Sequence, residues 1–284
     1  MEPLFKITDE TFSEKQAGNY QLFVRYGLNS FSYCVLDSLR NKFIYLKVFD
    51  LGKNESFDFS SGRLKFISGK EEVLQYPFKS VSISMVNQSS TLVPAAFYDE
   101  KQKERFLNFN HAPLRGDKIC SDYIRAIDTW NIFSVPETAI RELNGIFRNF
   151  TIHHYSSSLL LPVLSKYKNI TEKKFIVHVQ QSSLEIILTE SGNLLFYNSF
   201  LYRSPEDFMY FLMFSCDRLK LNPENISIIL LGEIERNSVI YSLMNKYFRN
   251  PEFGERNESY SYCYGFSDFP GQYFYNLLNQ PSCV

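Results

Sequence analysis

The stretch Gln21-Leu22-Phe23-Val24-Arg25-Tyr26-Gly27-Leu28-Asn29-Ser30-Phe31-Ser32-Tyr33-Cys34-Val35 decides how the chain is read. Leu22, Val24 and Tyr26 alternate with other residues, and so do Phe31, Tyr33 and Val35. A period of two is the mark of a β-strand with one face turned to a core. Between the two runs, Gly27-Leu28-Asn29 supplies the residues that a tight hairpin needs. A second break at Asp37 to Asn41 leads into Phe43 and Tyr45, which predict a third strand.

The same plan returns at Lys174 to Leu201. Phe175 to Val179, Leu184 to Leu188 and Leu194 to Phe200 read as strands, with turns at Gln180 to Ser183 and Ser191 to Asn193. With Arg25 set against His178, Val24 meets Val177, Ser30 meets Ser183 and Val35 meets Leu188. This is a repeat of pattern rather than of letters.

Helix signals follow each set. Ser204-Pro205-Glu206-Asp207 offers an N-cap, a proline at the first helical position and acids in the first turn. Phe208, Phe211, Leu212 and Leu219 continue at helical spacing until Asn222-Pro223. A buried-type strand, Ile226 to Leu231, and a helix from Val239 to Phe248 come next. In the first half, Ser134 and Glu137 predict a capping box around Pro136, ahead of Ile140, Leu143 and Ile146. A further helix is expected from about Ser158 to Tyr167. Gly52 to Gly69 reads as an inserted loop, and the polar Lys166 to Lys174 as the boundary between the two plans.

Composition narrows the function classes. With 30 Lys and Arg against 31 Asp and Glu, and no block of like charge, the chain has no basic stripe for nucleic acid. Its apolar runs, such as Leu159 to Leu161 and Ile228 to Leu231, are too short for a membrane span. Met1-Glu2-Pro3-Leu4 offers no basic segment leading into an apolar one, so no secretory signal is expected and the protein is expected in the cytoplasm. The five cysteines, Cys34, Cys120, Cys216, Cys263 and Cys283, form no C-x-x-C pair and are expected as reduced thiols.

A β-β-β-α-β-α order occurring twice resembles the ribonuclease H-like unit, whose duplication is the actin-like ATPase fold. The chain resembles a Bacteroidetes family of unknown function with that fold and, more distantly, the actin-like scaffold proteins of type IV pili and type II secretion. The resemblance implies an α/β protein of two lobes, each a mixed sheet with flanking helices. Residues 1–170 would form the first, with the insertion near 52–69, and 171–284 the second.

The resemblance also says where nucleotide would sit. Actin-like ATPases carry D-x-G followed by Thr, Ser or Asn at each first hairpin, where the Asp holds magnesium and water and the Gly admits backbone N–H groups to phosphate. In the first hairpin the Asp position holds Arg25, while Gly27, Asn29 and Ser30 keep the rest. The second offers His178, Gln180 and Ser183, with neither Asp nor Gly, and the adenosine loop keeps one glycine in Gly232-Glu233. Two motifs are half kept and one is lost. The expectation is a non-catalytic scaffold or adaptor with a protein partner and no cofactor; the sequence leaves its oligomeric state open. The alternative is a divergent ATPase or small-molecule kinase binding ATP with Mg, its metal ligands drawn from Asp37, Asp50, Glu185 and Glu190. Arg25 and His178, at matching places, would instead suit an anion.

Three other features carry expectations of their own. His153 and His154 fall on a strand, so their side chains diverge and cannot share a metal. His111, beside Pro113, is expected exposed in a turn. Tyr260, Tyr262, Tyr264 and Phe266 have the spacing of one strand face, packed under a helix at Pro270 to Leu278 or offered to a partner.

Overall fold

In the computed structural model, which describes residues 2–52, 62–111, 116–249 and 251–283, the first alternating stretch is a meander of antiparallel strands. β1 (Phe5–Thr8) precedes it, and β2 (Tyr20–Gly27), β3 (Ser30–Asp37) and β4 (Lys42–Asp50) form it. Pairing runs in the order β1-β4-β3-β2, with Val24 opposite Tyr33 and Arg25 opposite Ser32. Leu22, Val24, Tyr26, Phe31, Tyr33 and Val35 all enter one buried cluster, as the alternation predicts. Tyr33 stacks on Tyr45 with centroids 5.7 Å apart, and Phe31 lies tilted against Phe49 at 6.2 Å, so aromatic rings supply much of this core.

The chain then forms α1 (Arg63–Ser68), β5 (Ser80–Val86), β6 (Ser90–Pro94), α2 (Lys103–Asn110), β7 (Lys118–Ile124), β8 (Thr129–Val135), α3 (Glu137–Asn144), β9 (Thr151–His154) and α4 (Tyr155–Tyr167). β5 joins β2 and β9 joins β5, both in parallel, giving a mixed sheet. Between β5 and α3 lies a separate antiparallel sheet, β6-β8-β7, whose strands no sequence pattern predicts. The inserted loop expected at Gly52 to Gly69 is in part the helix α1, and residues 53–61 lie outside the described residues.

β10 (Lys174–Val179), β11 (Ser183–Glu190) and β12 (Asn193–Leu201) repeat the meander. Here Val177 faces Ile186 and His178 faces Glu185, the same register as Val24 with Tyr33 and Arg25 with Ser32. α5 (Pro205–Arg218) follows, its Ser204 cap accepting the Asp207 N–H at 3.1 Å. Then come β13 (Ser227–Gly232), α6 (Val239–Met244), β14 (Glu252–Phe253), β15 (Ser261–Tyr262) and α7 (Tyr275–Asn279). The second sheet runs β12-β11-β10-β13-β14, with β13 and β14 parallel to β10.

The chain divides into two compact units, Met1–Leu159 with Glu258–Asp268 and Leu277–Val284, and Leu160–Asn257 with Phe269–Asn276. Within the first, β15 pairs with β4 and Gln280 donates to the Ser82 carbonyl at 2.9 Å.

Four sequence expectations are corrected. Ser134 lies within β8 and the helix starts at Glu137 behind Pro136 with no side-chain cap, because β8 keeps pairing through Val135. The Val239 helix ends at Met244, and the chain continues as turns to Phe248. His111 is half-buried, its Nε2 2.8 Å from the Ser90 carbonyl oxygen. The Tyr260 to Phe266 segment is not one strand face. β1 already occupies β4 from Tyr45 to Val48, which leaves only Lys42 and Phe43 for Ser261 and Tyr262. The chain then turns over β1, where Gly265 lies so close that an added Cβ would meet Ile7 at 2.8 Å. Tyr260 and Tyr262 pack on Phe43 and Phe266 is buried, while Tyr264 points out at 87% exposure.

Beside this edge, burial tends to raise the Asp9 carboxyl pKa, but bonds from Lys42 and Thr11 outweigh it and bring the pKa to about 2. A carboxyl lowered on folding stabilises the fold above its unfolded pKa near 3.8 and loses that contribution as pH falls towards 2. Asp9→Asn is therefore expected to cost about 1 kcal/mol or less at pH 7, solvent screening included. In urea titrations the gap from wild type should narrow as pH falls below about 4 and close near pH 2. A gap that persisted there would show that charge is not its source.

Candidate functional site

The predicted site residues fall in two groups, one in each unit. In the first unit, Gly27 ends β2 opposite Val86, whose Cβ would stand 3.1 Å from any Cβ at position 27. Asn29 accepts the Leu51 N–H through its carbonyl at 2.8 Å, and Ser30 opens β3 opposite Asp50. Arg25, half-buried, lies on β2 between Ser32 of β3 and Ser84 of β5.

The second group is drawn tightly together. The Gln180 N–H donates to the Ser183 carbonyl at 2.9 Å and closes the hairpin. Antiparallel register then sets His178 directly across from Glu185, and the His178 Nδ1 lies 2.6 Å from Glu185 Oε2. Gln180 Nε2 donates to both carboxylate oxygens, at 2.8 and 2.9 Å. Ser199 Oγ donates to Oε1 at 3.2 Å from the neighbouring strand, and Ser183 Oγ at 3.4 Å. Glu185 is wholly buried and His178 is 3% exposed. A buried carboxylate is tolerated only when donors surround it, and here four side chains do so. Tyr202 donates to the Gln180 carbonyl at 2.6 Å; burial, then the nearby Glu233 and Glu185 charges, push its phenol up to about 12.

Gly232 and Glu233 close on the same strand end. Gly232 has φ +83°, and a Cβ there would stand 2.1 Å from the Val179 carbonyl oxygen. Its N–H donates to the Gln272 carbonyl at 2.9 Å, and the Glu233 N–H to the Val179 carbonyl at 2.7 Å. Gln272 in turn donates to the Ile234 carbonyl at 3.0 Å. The loop that would approach a nucleotide in the resembled ATPases is thus bonded within the unit.

Of the other spare acids, Asp37 and Asp50 are also engaged. Asp37 accepts the Leu39 and Arg40 N–H groups, and Asp50 the Gly52 N–H. Glu190 ends β11. In the sequence Glu185 stands out only as a spare acid, and Ser199 and Gln272 do not stand out at all. The hairpin register, His178 opposite Glu185, is the signal that finds the first. No local signal finds the other two, because their contacts come from distant strands and loops.

In the first unit a second polar cluster surrounds Asp122. Its carboxylate lies 2.9 Å from His153 Nδ1 and accepts the His154 N–H at 2.8 Å and the Ser157 hydroxyl at 2.7 Å. The His154 ring turns the other way, to Ser156 Oγ at 2.7 Å and the Asn87 carbonyl at 3.1 Å. The two rings diverge as strand geometry requires. Among the described residues, no three His, Cys, Asp or Glu side chains gather as a metal would need.

The chain belongs to the family described as "Protein of unknown function (DUF3822)", whose model matches residues 9–250. A Bacteroides thetaiotaomicron protein described as having an actin-like ATPase fold and unknown function superposes with a TM-score of 0.76 at 20% identity, over 86% of this chain and 94% of its own. The PilM-PilN type IV pilus biogenesis complex gives a TM-score of 0.62 at 13% identity, over 92% of this chain and 97% of that one. No curated protein matches the sequence. The fold is therefore the actin-like ATPase fold, as the repeated strand plan implies.

Proposed function

We propose that this actin-like protein is a non-catalytic scaffold or adaptor whose nucleotide-facing positions have been turned to internal packing. The observation that carries the reading is the closure of the Gly232 loop, whose Gly232 and Glu233 N–H groups already donate to Gln272 and Val179 carbonyls. Phosphate or adenosine recognition by backbone needs N–H groups aimed outward. Glu185 adds to it, since a magnesium ion taking that carboxylate would have to displace His178, Gln180 or Ser199. With Arg25 where an Asp would hold metal, a cation is placed where the chemistry needs an acid. The fold's occurrence in a type IV pilus complex makes a protein the partner of choice here.

The expected result is that purified protein releases no phosphate from ATP above a buffer control, with or without magnesium. Its melting temperature should also stay within about 1 °C when ATP is added at millimolar concentration. A rise of several degrees with magnesium and ATP, or phosphate release that survives purification, would instead favour a divergent ATPase or kinase.

A further inference from the structure

The second unit ends its sheet on β12, and among the described residues no strand pairs with the outer edge of β12. The equivalent strand of the first unit, β4, has its outer edge taken by β1 and β15. β12 reads Asn193-Leu194-Leu195-Phe196-Tyr197-Asn198-Ser199-Phe200-Leu201, with no charge and no proline. A bulge at Leu195 is its one guard against edge pairing. Leu195 and Leu201 are 46% and 57% exposed.

α5 lies beside this strand, its Phe211 stacked on Phe200 with centroids 4.8 Å apart. Glu206, Tyr210, Phe214 and Arg218 recur every fourth residue of α5 and so form one exposed stripe. Tyr210 is 63% exposed and Phe214 40%, yet their rings stack on each other at 6.0 Å, and the Arg218 guanidinium lies 5.1 Å over Phe214. The aromatic stripe is thus preordered and left to solvent, next to an uncharged strand edge.

The stripe is its own complement. Glu206 and Arg218 lie equally far on either side of Leu212, and so do Tyr210 and Phe214. A two-fold axis crossing the exposed stripe midway between Tyr210 and Phe214, on the side of α5 away from the buried Leu212, would therefore set each Glu206 against the Arg218 of the copy, and each Tyr210 against its Phe214. A closed two-fold contact requires this kind of self-complementary patch. We propose that the second unit docks on a second copy of this chain, α5 packing antiparallel on its counterpart beside the β12 edge. The inference does not depend on whether nucleotide binds.

Sedimentation equilibrium of the full chain, from about 1 to about 500 µM, tests it. The mass should climb from 33.3 kDa towards twice that value. Glu206→Arg and Arg218→Glu alone should each weaken association by roughly tenfold, through like charges facing at both ends of the contact. The double swap should restore it to within about threefold. Phe214→Asp, on an exposed position, should abolish the dimer over this range while the circular-dichroism melt stays unchanged. A monomer mass at every concentration would overturn the proposal, and so would a double swap no better than either single change.

Discussion

Gly232→Ala is expected to lower the melting temperature of the protein by about 6–12 °C, while Gly18→Ala leaves it nearly unchanged. Position 232 has φ +83°, where an alanine is strained by roughly 1–2 kcal/mol before it touches anything. Its Cβ would then stand 2.1 Å from the Val179 carbonyl oxygen, far inside van der Waals contact. That oxygen accepts the Glu233 N–H, and Val179 pairs with Gly232 across β10 and β13, so relief by movement breaks a bond. Strain and lost bond together make at least about 3 kcal/mol. Gly18 has ordinary φ and nothing within 4 Å of its Cβ direction, which makes it the matched control. Thermal melts of the two variants followed by circular dichroism decide the matter. Equal melting temperatures would mean the loop yields easily, and with it the reading of Gly232 as a packing residue.

Most of the fold could be read before the structure, because two signals are strictly local. Period-two alternation in Leu22 to Val35 and in Phe175 to Leu188 is set by which side of the strand is buried. The Ser204-Pro205 start of α5 needs only four residues to be recognised. What escaped depends on competition between distant segments. Ser134 has capping chemistry, yet β8 claims it for pairing with Ile119. Tyr260 to Phe266 has strand spacing, yet β1 leaves β4 room for just two of its residues. The β6-β8-β7 sheet went unread because β6 and β7 bury few of their residues, so neither shows a clear alternation, and its core is small, built on Val93, Leu107 and Ile132. Of the candidate site, the positions His178, Gln180, Ser183, Gly232 and Glu233 were legible, but not what they bond. Glu185 is fixed by register, and Ser199 and Gln272 by tertiary contact.

Removing the Glu185 carboxylate tests whether that cluster is a brace or a site. In the wild type, His178 and Gln180 aim donors at one buried acceptor, 2.6 to 2.9 Å away. Glu185→Ala leaves those donors buried without it, and the loss of one partner from a buried pair costs about 3–5 kcal/mol. His178→Leu alone leaves the carboxylate with Gln180, Ser183 and Ser199, so a smaller cost of roughly 2 kcal/mol is expected. Combining Glu185→Ala with His178→Leu removes donor and acceptor together, and should recover roughly half of the Glu185→Ala loss, since losing both partners of a buried hydrogen bond costs less than leaving one unsatisfied. The sign carries the functional meaning. A carboxylate held for a metal or substrate is a strained, destabilising feature, and its removal leaves stability unchanged or raises it. A carboxylate that ties β10, β11 and β12 together lowers stability when removed and couples strongly to His178 in a double-mutant cycle. Urea unfolding of the four proteins measures both quantities. A Glu185→Ala variant as stable as wild type, with no coupling to His178, would return Glu185 to the ranks of candidate ligands and reopen the divergent ATPase.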